Sequence, residues 1–385
     1  MQRLSQIIQG DKALWGLVIL LLVFSFMPVY SASSNLAFLY DGGNTGKYLA
    51  KHFFHVTTGI IILYLTHQIN PKYFRNLSLV LVPISAVLLL VVLLKGQTIG
   101  DANASRWLRL PFIQVTFQPS EVAKLSIIMY VARFMTRNPD KIKSFKESFW
   151  PLFVPVAGIC LLILPANFST AALVFFLCLV VMVLGGMAWK NIFTLIGIGL
   201  AGLALFIVFV MAFPNVSNRV DTWKSRIETY WDGGDSDTGY QVEKSKIAIA
   251  SGGLTGEGPG KSVQKNFLPQ SNSDFIFSVI VEEYGLVMGL ILLFMFGIFF
   301  MRALSLLAKI DDPYSALLAF GCGFSICFQA FANMAVAVNL FPVTGQPLPF
   351  LSSGGTSLWL TCFMVGIILS MSRLVKNKEL GDEVE

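Results

Sequence analysis

Residues 313–372 read PYSALLAFGCGFSICFQAFANMAVAVNLFPVTGQPLPFLSSGGTSLWLTCFMVGIILSMS, without one Asp, Glu, Lys or Arg. A membrane crossing needs only about 20 such residues, and a water-soluble domain does not bury so long an uncharged run. Outward from this stretch the same absence recurs at Ala13–Tyr40, Ser148–Trp189 and Asn191–Asn218. Over 385 residues, 13% are charged, against roughly 25% in soluble domains, and 55% are hydrophobic. The chain reads as an all-α polytopic membrane protein, helical because a backbone in lipid must satisfy its own hydrogen bonds.

Ten transmembrane helices are expected, near 13–31, 50–68, 77–95, 120–136, 150–165, 169–187, 191–213, 275–301, 315–340 and 355–373. Pro165-Ala166-Asn167 divides the long apolar run after Ser148 into a hairpin. The first span follows Lys12 and is read as an uncleaved helix rather than a signal peptide. Fifteen Lys and Arg residues, Lys72, Arg75, Arg133 and Arg137 among them, fall on one side of these spans. The short loops opposite hold five: Lys47, Lys51, Lys95, Arg106 and Arg109. The richer side should be cytoplasmic, with both termini inside. Residues 1–385 then form a single membrane domain containing one large extracytoplasmic loop, 214–274, with seven basic and eight acidic residues. A loop of that length in a compact protein usually carries function.

The net charge of +6 is scattered over loops rather than gathered in a patch, so no nucleic-acid partner is expected. The five cysteines lie inside apolar segments without a CxxC pair and read as packing residues. His52, His55 and His67 show no metal-site spacing. Gly197-Ile-Gly199-Leu-Ala-Gly202 matches a dinucleotide fingerprint, but lies mid-span without a preceding strand and reads as a helix-packing surface. Gly256-Glu-Gly-Pro-Gly260-Lys261-Ser262 resembles a phosphate loop with Thr255 where the first glycine belongs. Asp235-Ser236-Asp237 sits in a Gly-rich run and reads as a turn.

Polar residues inside spans need a reason. Glu121 and Lys124, behind Gln118-Pro119-Ser120, are three apart and share a helix face. They form either a structural ion pair or part of a polar cavity for a charged substrate. Arg106 and Arg109 flank Trp107 as an interfacial anchor or as a clamp for a lipid phosphate. Asp274 stands at the start of the eighth helix, as its N-cap or as a chemical group, and Glu282-Glu283 two turns on should pair with Lys or Arg from neighbouring helices. The loop 341–356 holds three prolines, three glycines and no charge, and should dip back among the helices as a re-entrant wall.

Four blocks, in order, resemble the SEDS family (shape, elongation, division and sporulation). Gln118-Pro119-Ser120-Glu121-Val-Ala-Lys124 is similar to its QPSE-x-x-K segment. Gly239-Tyr240-Gln241, Ser245-Lys246 and Gly252-Gly253-Leu254 resemble its large loop. Leu268-Pro269, Ser273-Asp274-Phe275-Ile276-Phe277 and Glu282-Glu283-Tyr-Gly285 are similar to its LPE-x-x-TDFIF-x-x-x-x-EE-x-G block. Pro347-Leu348-Pro349-Phe350 with Ser353-Gly354-Gly355-Thr356 resembles its LPF-x-SYGGSS loop. Gly258 to Lys265 looks more like division-type members than elongation-type ones. Departures are Gln270 for Glu, Asn272 for His, Ser273 for Thr, Ser353 for Tyr, and Asn167 where the family has the acid of a QPD turn.

The resemblance implies a peptidoglycan glycosyltransferase of the bacterial cytoplasmic membrane that polymerises lipid II with inversion and releases undecaprenyl pyrophosphate. It implies Asp274 as the catalytic general base. Lys124 and Arg106, with Glu121 orienting Lys124, are candidates for the pyrophosphate. Gln118, Gln241, Lys246, Ser352 and Gly354 are further substrate-binding candidates. A divalent cation, Mg or Mn, bridging the pyrophosphate fits that chemistry; no protein-only metal site and no organic cofactor are expected. Partners implied are a class B penicillin-binding protein transpeptidase and other division proteins. The competing readings are a lipid II flippase and a scaffold for division partners.

Overall fold

The computed structural model describes residues 9–96, 106–109, 116–212, 230 and 237–382. It divides into two compact units: Met1–Gln68 with Ser225–Ser305 and Gly323–Glu385, and Ile69–Lys224 with Leu306–Cys322.

In the first unit α1 (Lys12–Phe24) starts at Asp11, whose carboxylate accepts the N–H groups of Ala13 and Leu14 at 2.8 and 3.2 Å. After Ser25 the chain continues as α2 (Phe26–Tyr40), well past the expected end at 31. The polar run Ser31-Ala-Ser-Ser-Asn35 looks like a loop in sequence, yet Ser25 and Ser34 turn their hydroxyls onto the carbonyls of Leu22 and Ser31, and Ser31 and Ser33 are buried. Next comes α3 (Thr45–Gln68).

The second unit opens with α4 (Pro71–Lys95), capped by Asn70 with Pro71 in the first turn, six residues earlier than expected from hydropathy. A two-stranded ribbon, β1 (Leu108–Arg109) and β2 (Thr116–Phe117), pairs antiparallel with Leu108 opposite Phe117. It leads into α5 (Pro119–Arg137). The expected helix at 150–165 begins earlier, as α6 (Phe145–Ser148), a π turn over Phe149–Phe153 and α7 (Val154–Ile163). Asn167 then caps α8 (Phe168–Leu184), confirming the hairpin at Pro165-Ala166-Asn167. α9 (Trp189–Ala212) closes this stretch. In α9 the glycine motif makes one close approach: a Cβ at Gly199 would come within 3.0 Å of Phe175, whereas one at Gly197 or Gly202 would meet nothing within 4 Å among the described residues. Of the expected helix-packing surface, Gly199 is thus the position that makes a close contact among the described residues.

From Asp237 the long loop before the eighth expected span is itself helical, as α10 (Asp237–Gly252), followed by a 3-10 turn at Gln264–Asn266. Asp235 and Ser236, expected in a turn, lie outside the described residues. Three long helices follow: α11 (Ile276–Lys309), α12 (Pro313–Ala337) and α13 (Gly355–Asp382). The eighth expected helix, near 275–301, is present but broken at Gly285, where φ is +79° and ψ 173°. α13 packs on α3 through small residues: a Cβ at Gly366 would lie 2.5 Å from the Thr66 side chain and one at Gly59 3.0 Å from Cys362 Sγ.

Eight stretches among the described residues are long and apolar enough to cross a membrane: Lys12–Leu39, Thr45–Gln68, Pro71–Leu94, Phe145–Ile163, Trp189–Val208, Ile276–Lys309, Pro313–Ala337 and Gly355–Val375. The other two expected spans correspond to α8, which has 17 residues, and α5, which carries Glu121, Lys124, Arg133 and Arg137. The fold is that of a multi-pass membrane protein. The cysteines Cys178, Cys322, Cys327 and Cys362 are buried thiols, in agreement with a packing role.

Candidate active site

In the first unit the residues around Asp274 are held by three segments that are remote in sequence. Phe275 sits in a buried apolar cluster with Val242 of α10, Leu268, Val336 of α12 and Val343. α10 is fixed to it by Ser245, whose hydroxyl meets Ser278 at 2.5 Å and the carbonyl of Ala337 at 2.7 Å. Burial of Phe275 therefore leaves Asp274, one residue earlier, half-buried at the entrance to α11.

The uncharged loop 341–354 closes over this turn, in agreement with the expected re-entrant wall. Gln346, Leu348, Phe350, Leu351 and Ser352 are buried. Phe350 takes φ +66° and sets its ring against Phe296 and Phe299, with centroids 6.4 and 6.3 Å away. Ser352 Oγ donates to the Ser273 carbonyl at 2.7 Å and accepts the Leu348 N–H at 2.8 Å. Ser353 donates both its N–H and its hydroxyl to the Asn272 carbonyl, at 2.9 and 3.0 Å. Asn333 of α12 completes the clasp by donating to the Asp274 and Gln346 carbonyls, and Gln329 donates to the Pro347 carbonyl at 3.0 Å. The departures from the family pattern meet here in pairs: Ser353 on Asn272, and Ser273 Oγ on Gln270 Oε1 at 3.3 Å.

Beneath this turn the first part of α11 ends at Gly285, and the loop 252–264 fills the break. Leu286 and Val287 donate their N–H groups to the carbonyls of Gly253 and Leu254, at 2.9 and 3.3 Å. Glu257 and Gly258 donate theirs to the carbonyls of Glu282 and Glu283, both at 3.0 Å. The backbones come so close that a Cβ at Gly252 would lie 2.1 Å from the Val281 carbonyl oxygen, and one at Gly285 2.1 Å from that of Leu254. The last residue of the phosphate-loop look-alike and the two residues after it hold a carboxyl group of the protein's own: Glu282 accepts the Ser262 hydroxyl and the N–H groups of Val263 and Gln264 at 2.9 and 3.1 Å. Glu283 takes the Ser31 hydroxyl and lies 4.0 Å from Lys265. The expectation that both glutamates pair with cations of neighbouring helices is thus corrected: their partners belong to the loop and to α2, and one cation, Lys265, is involved.

The other candidates are placed as follows. Gln241 is half-buried on α10, while Lys246 is exposed, about 140° away around the helix, so the two do not share a face. Gly354 has room for a side chain, its nearest neighbour being Ser357 Cβ at 3.4 Å; Gly355 does not, since a Cβ there would press on the His55 ring at 2.8 Å. In the second unit Gln118 precedes α5 in extended conformation without a side-chain capping bond. Lys124 Nζ and Glu121 Oε2 form an ion pair of 2.8 Å, with 1% and 3% of their side chains exposed. Arg106 Nε donates to the Ala166 carbonyl at 3.0 Å, at the turn where Asn167 replaces the family acid. The side chain of Arg109 lies outside the described residues. No three His, Cys, Asp or Glu side chains gather as a metal site among the described residues, so the protein residues present do not of themselves fit a cation.

Sequence reading missed Gln329 and Asn333 because it weighed only ionisable residues. Their signal is two amides four apart in an otherwise apolar helix, which places them on one face.

The family model described as FTSW_RODA_SPOVE, cell cycle protein, matches residues 11–377. A relative named probable peptidoglycan glycosyltransferase FtsW, from Geobacter sulfurreducens, is 32% identical over 379 residues, covering 97% of this chain and 98% of the relative. Stage V sporulation protein E of Bacillus subtilis is 30% identical over 365 residues, covering 94% and 97%. Among solved structures, the rod shape determining protein RodA of Thermus thermophilus is similar with a TM-score of 0.66 at 25% identity, covering 94% of this chain and 97% of that one. A chain from a structure described as a peptidoglycan synthase complex that coordinates polymerization and crosslinking is similar with a TM-score of 0.72 at 24% identity, covering 94% and 98%. A family match spanning almost every residue, with the clasped Asp274 turn inside it, establishes that this chain belongs to the FtsW/RodA/SpoVE, or SEDS, family of bacterial membrane proteins.

Proposed function

We propose that this protein is a peptidoglycan glycosyltransferase that polymerises lipid II at the outer face of the cytoplasmic membrane during cell division, with ten spans and both termini inside. The activity is supported by the full-length likeness to relatives named peptidoglycan glycosyltransferase. The observation that carries the site is the clasp that fixes the backbone on both sides of Asp274.

Forming a β-1,4 bond from an α-linked pyrophosphate requires inversion. The acceptor 4-hydroxyl gives its proton to the Asp274 carboxylate as its oxygen attacks the anomeric carbon, and the bond to the pyrophosphate breaks in the same displacement. Undecaprenyl pyrophosphate leaves. A helix start at a half-buried turn suits this base: the N-terminal end of a helix favours a negative charge, and the position is close enough to water to be reached. Lys124, oriented by Glu121, and Arg106 stabilise the departing pyrophosphate. Gln118, Gln241, Lys246 and Gly354 contribute to substrate binding, and Ser352 acts through the loop it pins. A divalent cation, Mg or Mn, would draw its ligands from the pyrophosphate rather than from a protein cage. A class B penicillin-binding protein and other division proteins are the partners of this reading, in line with the synthase complex whose chain is similar in fold.

The break in α11 is the one observation favouring a lipid II flippase, since discontinuous helices mark many transporters. Here, however, the loop takes up the backbone groups at the break instead of leaving them to a cargo. Purified protein with its transpeptidase partner, given labelled lipid II, decides between the readings. Polymer from the native protein and none from Asp274→Asn is expected. Lipid II crossing vesicle bilayers without any polymer would establish the flippase instead.

A further inference from the structure

In the second unit, Arg75, Arg133 and Arg137 line a cavity of about 280 Å3 that holds one carboxylate, Asp312. That carboxylate is engaged twice already. Its Oδ2 caps α12, accepting the Ser315 N–H at 3.1 Å and the Ser315 hydroxyl at 2.6 Å, and its Oδ1 accepts Arg75 Nη2 at 2.8 Å. Arg133 is only 7% exposed, and it uses Nη1 alone, on the Arg75 carbonyl and on Asn76 Oδ1 at 3.0 Å. Among the described residues its Nε and Nη2 have no partner, and the Arg137 side chain has none. Arg133 is nearly removed from water with no ion pair of its own, Arg137 reaches the same cavity from an exposed position, and three guanidiniums against one carboxylate leave an excess of positive charge that an anion in the cavity would balance.

We propose that this cavity binds the phosphate headgroup of an anionic phospholipid. Guanidiniums present paired N–H donors that match phosphate oxygens. The volume falls just under the roughly 300–1,000 Å3 of sites that enclose whole drug-sized ligands, which suits a compact headgroup. Asn76, at the cavity wall, begins a stripe on α4 that continues through Leu79, Val80, Ile84 and Val87, all exposed and apolar. Acyl chains lie along this stripe when the phosphate is in the cavity. Tyr73, 60% exposed with Lys72 Nζ 5.1 Å from its ring centre, marks the headgroup level. The site is distinct from the residues proposed for glycan synthesis; only its assignment to the cytoplasmic leaflet rests on the orientation proposed above.

Native mass spectrometry of the full-length protein, exchanged from lipid into clean detergent, tests this with phosphatidylglycerol, diacylglycerol of the same chains, and inorganic phosphate as probes. Retention of one phosphatidylglycerol and no diacylglycerol is expected. Arg137→Gln removes one charge-assisted contact from an exposed position and should weaken retention by about tenfold. Asp312→Asn keeps a capping side chain for α12 but removes the competing charge, and should strengthen it. Equal retention of the two lipids, or unchanged affinity in both variants, overturns the proposal. Capture of inorganic phosphate with no preference for phosphatidylglycerol assigns the cavity to a soluble anion and overturns the lipid assignment.

Discussion

Asn333 Nδ2 donates to the backbone carbonyl of Asp274 at 2.7 Å and to that of Gln346 at 2.8 Å. One amide, 1% exposed on α12, thus joins the proposed base to the re-entrant loop. Asn333→Leu keeps the volume and removes one hydrogen bond from the buried Gln346 and one from the half-buried Asp274, at about 1–3 kcal/mol for the buried group and less for the other. A lower thermal midpoint is expected, together with polymerisation slowed at least about tenfold, which corresponds to about 1.4 kcal/mol in the barrier. Wild-type polymerisation by that variant would remove Asn333 from the positioning of Asp274.

The glycines of the chain divide sharply by what surrounds them. Gly285 has φ +79° and a virtual Cβ 2.1 Å from the Leu254 carbonyl oxygen, so Gly285→Ala forces the loop off the break in α11. Destabilisation well beyond the roughly 1 kcal/mol of an ordinary glycine effect is expected, with loss of polymerisation. Gly197→Ala, within α9 and facing nothing within 4 Å among the described residues, should be neutral or stabilise by up to about 1 kcal/mol. Denaturation of both variants in detergent checks the contrast, and equal midpoints would refute it.

Glu282 anchors the loop by accepting two N–H groups and one hydroxyl at residues 262–264. Glu282→Ala strands these donors and should loosen the segment around the exposed Lys261. Limited trypsin digestion reports this directly: cleavage after Lys261 should be several-fold faster in Glu282→Ala, while Glu282→Gln, which keeps an acceptor oxygen, stays near wild type. Unchanged cleavage in the alanine variant would show that the loop is held by its backbone contacts with residues 282–287 alone.

Sequence showed the helical membrane architecture because charge-free runs obey a simple physical constraint, and it singled out Asp274 as a candidate because the surrounding block is so specific. It did not show the break at Gly285, since an isolated glycine in an apolar run is tolerated within transmembrane helices. Nor did it show where Glu282 and Glu283 point: a carboxylate is satisfied as well by three backbone or hydroxyl donors as by a cation, and only the fold brings residues 262–264 within reach. Asn333 was hidden for a related reason. A neutral amide is cheap enough within a helix to pass unnoticed, until two carbonyls from distant loops are found on it.

The Lys124–Glu121 pair separates stability from chemistry. At 2.8 Å and nearly complete burial, each charge depends on the other, and removing one partner costs about 3–5 kcal/mol. Lys124→Met alone should therefore fold poorly, and loss of polymerisation by that variant would carry no information about the reaction. The double variant Lys124→Met with Glu121→Gln removes both charges while retaining length and volume, so most of the stability should return. If Lys124 neutralises the departing pyrophosphate, the folded double variant stays at least about a hundredfold slower than the native protein, a loss comparable to that of one oxyanion donor. A double variant that both folds and polymerises lipid II at the native rate would make the pair a structural one and move the stabilising charge to Arg106 or to a cation on the pyrophosphate.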